Sequence, residues 1–121
     1  MSNGTNGLKA IAEMELAYKL DHEPEALAQL GHIYAMAGRT AEARRVLEQM
    51  KQIARERYLS VYHFGVLYEG LGERDEAFRW LDKVDEDRSE WFANINVDPR
   101  LEGLRSDPRF QRILRIVGLG R

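Results

Sequence analysis

A chain of 121 residues has room for one ordinary domain, and with 44% apolar and 31% charged residues it is neither intrinsically disordered nor membranous. The absence of cysteine excludes disulfides, thiolate metal sites and a cysteine nucleophile. A formal net charge of −2 argues against a basic nucleic-acid domain, although residues 1–87 carry 11 Lys/Arg against 16 Asp/Glu and residues 88–121 carry 7 against 4.

Residues 1–7, rich in Ser, Asn and Gly, read as a flexible end or an expression remnant. No stretch approaches about 18 consecutive apolar residues, and the start lacks a basic region followed by an apolar one. A cytoplasmic protein without a membrane span is therefore expected. From Leu8 to Leu20 the apolar residues Leu8, Ile11, Ala12, Leu16, Ala17 and Leu20 fall at three- and four-residue steps, which predicts an amphipathic helix. Pro24 suits a first helical position, and Leu27, Leu30, Ile33, Tyr34 and Ala37 form the next stripe, ended by Gly38. Thr40 is expected to cap a third helix with Ala43, Val46, Leu47, Met50, Ile53 and Ala54 on its apolar side, so that the two form a hairpin.

The layout then recurs. Ser60 caps a helix bearing Val61, Phe64, Leu67, Tyr68 and Leu71, which Gly72 breaks; Asp75 caps a partner bearing Ala77, Phe78, Leu81 and Val84, with Trp80 near its edge. Gly31 and Gly65, Tyr34 and Tyr68, Gly38 and Gly72, Ala43 and Ala77, and Leu47 and Leu81 each lie 34 residues apart. A fixed period of this kind means stacked copies of one supersecondary unit.

These residues resemble the tetratricopeptide repeat, whose pattern is W-x2-L-G-x2-Y, then A-x3-F, then P. Leu27, Leu30, Gly31, Tyr34, Ala43 and Leu47 fill it once; Val61, Phe64, Gly65, Tyr68, Ala77 and Leu81 fill it again. The leading helix resembles the second half of a preceding repeat, with Ala10 and Met14 at the Ala and Phe positions. Leu27 and Val61 stand where the family has Trp, and Arg55 and Ser89 where it has Pro. Further on, Ala77, Phe78, Trp80, Leu81, Val97 to Arg100 and Leu104 to Phe110 resemble the end of repeat arrays in bacterial winged-helix regulators and serine/threonine kinases. Asp98-Pro99 and Asp107-Pro108 each place a capping acid before a proline suited to a first turn.

The resemblance implies an all-α, tetratricopeptide-like hairpin solenoid of about two and a half repeats with a C-terminal capping helical segment. A single domain of residues 8–118 is expected: a half repeat over 8–22, repeats over 24–57 and 58–87, and a cap over 88–118. In the cap, Trp91, Phe92, Leu101, Leu104, Phe110, Ile113, Leu114 and Val117 are expected to cover the last repeat.

Chemistry for catalysis is thin. His22, His32 and His63 have no cysteine partners and no H-E-x-x-H spacing, so no metal and no cofactor is expected. Ser60 and Thr40 read as caps rather than nucleophiles, Glu73, Asp75 and Asp85 to Asp87 as solvated acids beside turns, and no glycine pattern forms a nucleotide loop. A non-catalytic chain follows. Arg100, Arg105, Arg109, Arg112, Arg115 and Arg121 are interrupted by Asp98, Glu102 and Asp107, and nucleic acid is not an expected partner.

In tetratricopeptide arrays the first helix of each repeat lines a concave groove. The resemblance places Gln29, His32 and Met36, then Tyr62, His63, Val66 and Glu69, on that groove, for a protein or peptide partner whose identity the residues do not give. The lysines and asparagines with which chaperone-binding members clamp a terminal carboxylate are missing, so that ligand is not expected. The alternative surface is the open N-terminal end, where Ile11, Leu16 and Tyr18 form an apolar face to be filled by a second copy of the chain, giving a homodimer, or by a preceding domain of a larger signalling protein.

Overall fold

A computed structural model of the chain describes residues 2–87 and 90–118; the side chains of residues 2–7, 85, 90 and 91 lie outside the description. Every regular element among these residues is helical: α1 (Ser2–Asp21), α2 (Pro24–Met36), α3 (Thr40–Glu56), α4 (Val61–Gly70), α5 (Arg74–Leu81) and α6 (Pro108–Ile116), with 3₁₀ turns at Asp82–Asp85, Glu90–Asn94 and Pro99–Leu104. The chain divides into two compact units at Leu59/Ser60, beside the repeat boundary that the 34-residue period predicts. None of the described helices is long and apolar enough to cross a membrane.

In the first unit α1 packs on α2, and α2 and α3 form a hairpin. The α1 backbone is helical back to Ser2, earlier than the composition predicts, because extending an existing helix adds one hydrogen bond per residue without a new nucleus. At the other end His22 adopts φ +56°, a left-handed conformation that costs a non-glycine residue energy. Its N–H donates to the Tyr18 carbonyl at 2.7 Å and its ring stacks on Tyr18. The buried residues include Ile11, Leu27, Ala28, Leu30 and Tyr34, with Ala43, Val46, Leu47 and Met50 from α3. Ile53 is half-buried and Ala54 exposed, so the α3 stripe stops short of its predicted end.

The two hairpin turns are the same structure 34 residues apart. Gly38 and Gly72 both have φ near +80°, which a residue without Cβ adopts freely. In the first turn Gly38 N–H donates to Ala35 and Arg39 N–H to Tyr34; in the second Gly72 donates to Glu69 and Glu73 to Tyr68. This paired closure satisfies carbonyls that a helix end leaves open. It also moves the caps. The closure ends on Arg39 and Glu73, which flank the next helices directly, so Thr40 and Asp75 lie inside the first turns instead of capping them.

The second unit pairs α4 with α5 and adds the C-terminal segment. Ser60 caps α4 as expected, its Oγ accepting from Tyr62 N–H at 3.1 Å while donating to Asp87 at 2.8 Å. A Cβ on Gly65 would sit 2.5 Å from Leu81 Cγ, so glycine is what allows α4 and α5 to approach this closely. Phe64 stacks on Trp80 with centroids 4.1 Å apart, and the Lys83 ammonium lies 4.5 Å over the indole. Asp98 and Asp107 cap the segments after them, accepting from Arg100 N–H at 3.0 Å and Arg109 N–H at 2.9 Å. Phe92, Leu101, Leu104, Phe110, Ile113 and Leu114 are buried as predicted, and Val117 is half-buried. The Trp91 side chain lies outside the described residues. Ile95, fully buried, belongs to this core although no spacing announced it.

Candidate functional site

On α2 the residues Gln29, His32 and Met36 fall at i, i+3 and i+7, one face of a helix. Gln29 and His32 are half-exposed and Met36 is 68% exposed. Met36 is thus the exposed part of this predicted face and Gln29 is partly accessible beside it, while the Nε2 atom of His32 is buried.

The matching face of α4 is not accessible. Tyr62, His63 and Val66, expected on the groove, are each no more than 2% exposed. The reason is the C-terminal segment. Phe92 packs edge-on against the Tyr62 ring, centroids 5.3 Å apart, and the Tyr62 hydroxyl donates to Asp98 Oδ2 at 2.5 Å. Arg100 grips the same carboxylate with Nε at 3.0 Å and Nη2 at 2.7 Å. Burial and the Asp98 carboxylate push the Tyr62 hydroxyl pKa far up. Burial alone raises the Asp98 carboxyl, but hydrogen bonds from Arg100 and Tyr62 outweigh it and bring it down to about 2. The arrangement is a satisfied buried ion pair with a tyrosine on top, and it holds the segment down rather than meeting a ligand. Glu69, the remaining predicted residue, is half-buried, and burial raises its pKa against the pull of Arg74. Its Oε2 lies 2.7 Å from where a Cβ on Gly103 would be.

On α1 the predicted self-association residues separate. Ile11 is 4% exposed and is corrected to the buried side of α1. Tyr18 is half-buried. Leu16 is 56% exposed, as expected, and Leu8 at 57% and Leu20 at 74% join it. These two carried a signal in their spacing from Leu16, eight residues for Leu8 and four for Leu20. Across the other side of the helix the Tyr34 hydroxyl donates to Glu15 Oε2 at 2.5 Å, tying α2 to α1. Burial, then Glu15, pushes that hydroxyl up to about 12.

The arginines after residue 88 are largely occupied. Arg100 pairs with Asp98, Arg105 with Glu102, Arg109 with both Asp107 and Asp75, and Arg112 with Asp82. Among the described residues no group of three His, Asp or Glu is placed to hold a metal ion. No family model, curated protein or solved structure matches the chain.

Proposed function

We propose that the chain is a non-catalytic protein-interaction module of tetratricopeptide type, working in the cytoplasm and binding a protein or peptide through the α2 face of Gln29, His32 and Met36. The 34-residue recurrence, repeated down to the same helix-ending turn at Gly38 and Gly72, supports the repeat reading. The exposure of Met36 carries the site, because a large apolar side chain in solvent at the end of α2, on the same face as half-exposed Gln29, is what a partner can desolvate. The test uses the full chain as a cross-linking bait. A partner captured by the wild type is expected to be lost with Met36→Glu and kept with Leu16→Glu; a partner indifferent to Met36→Glu counts against this face.

Self-association through α1 is the second reading, favoured by the exposure of Leu8, Leu16 and Leu20 on one side of a single helix. Light scattering across a concentration series is expected to show a mass rising toward twice 14.0 kDa, and Leu16→Glu to hold it at one chain.

A further inference from the structure

The row Leu8, Ala12, Leu16 and Leu20 is exposed along α1 and winds by about 40° at each four-residue step. Its middle lies about 150° around the helix from the side on which Ile11 is buried and Met14 and Tyr18 are half-buried, so the row points away from α2. Charges border it on both flanks. Lys9 and Glu13 lie about 40° and 80° to one side of the middle, and Lys19 and Glu15 lie at the same angles to the other. Glu15 already accepts from the Tyr34 hydroxyl, whereas Lys9 and Glu13 are exposed with no ion pair among the described residues.

We propose that α1 pairs with α1 of a second copy, antiparallel about a two-fold axis at Ala12, with Lys9 of each chain meeting Glu13 of the other. The inference rests on the self-association reading and gives it a register. The two-fold axis of an antiparallel helix pair stands normal to the plane of the two helices, so each flank of α1 meets the same flank of its copy. A flank with one Lys and one Glu a turn apart then opposes unlike charges to itself, whereas a parallel pair would set Glu13 beside Glu15 of the other chain. The Lys19 flank would centre the pair on Ala17, but its Glu15 is held by Tyr34. With the axis at Ala12, Leu8 of each chain opposes Leu16 of the other, and the alanine between them lets the two backbones approach. Lys9 then lies about 3 Å along the axis from Glu13 of the second copy, within reach of the two side chains.

Sedimentation equilibrium on the full chain tests this with Lys9→Glu, Glu13→Lys and the double variant, while circular dichroism checks that the helices persist. Each single variant sets like charges across the pair and is expected to raise the dimer dissociation constant about fivefold or more, and the double variant to return it to within about threefold of wild type. The chain has no cysteine, so Ala12→Cys and Lys19→Cys each introduce a unique thiol. A short bis-maleimide is expected to link two copies of the first variant, whose thiols meet at the axis, and not of the second, whose thiols lie about 20 Å apart. A dimer dissociated by Leu16→Glu but indifferent to the charge variants, or linked through Lys19→Cys, overturns this register and leaves self-association standing. A monomer at every concentration overturns both.

Discussion

Asp98 gathers more of the second unit onto one side chain than any other residue. It caps Pro99–Leu104, accepts from the Tyr62 hydroxyl and pairs with Arg100, and it is only 7% exposed. Its folded pKa lies below the unfolded value, so its contribution is present above about pH 4 and is lost as the pH falls toward about 2. The drop from 3.8 to about 2 corresponds to about 2 kcal/mol. Urea unfolding between pH 5 and pH 2 is expected to show this slope in the wild type and to lose it in Asp98→Asn; equal slopes in both would remove Asp98 from the account. The same residue explains why the site was only half legible. Met36 is exposed and Gln29 partly accessible, as the repeat positions predict, but Tyr62 is sealed by a carboxylate 36 residues away, and no local spacing joins two residues so far apart.

At the scale of elements, periodicity was a good guide and the exact caps were not. Each helix the apolar spacing predicts is present, and Ser60, Asp98 and Asp107 cap as their residue types require. Thr40 and Asp75 fail because the closing turn at each glycine uses fewer residues than the sequence pattern counts, so that α3 and α5 already begin at Thr40 and Arg74. Ile95 was missed because the short 3₁₀ turns of the C-terminal segment have no 3.6-residue stripe to read. The α4–α5 contact gives a direct test. Gly65→Ala gains about 1 kcal/mol of helix propensity but drives a methyl into Leu81, at a cost of about 2–3 kcal/mol. A net loss of about 1–2 kcal/mol in denaturant unfolding is expected, and a stabilised variant would mean the helices can part without penalty.

For the whole molecule, charge decides what stays away. Four of the seven arginines in the last 34 residues, Arg100, Arg105, Arg109 and Arg112, answer to nearby acids, which lowers the free positive field of the mildly basic tail. The chain is expected to pass unretained through a DNA column at about 0.15 M salt, and retention that weakens with added salt would contradict this. The stacking of Trp80 on Phe64 has a separate, optical consequence. Both tryptophans, Trp80 and Trp91, fall after Ser60, while residues before it contain only the tyrosines Tyr18, Tyr34 and Tyr58 as emitters. Indole fluorescence therefore reports the second unit alone. Helical dichroism lost on heating while the emission maximum holds still marks melting of the first unit, so the chain carries its own label for telling its two halves apart.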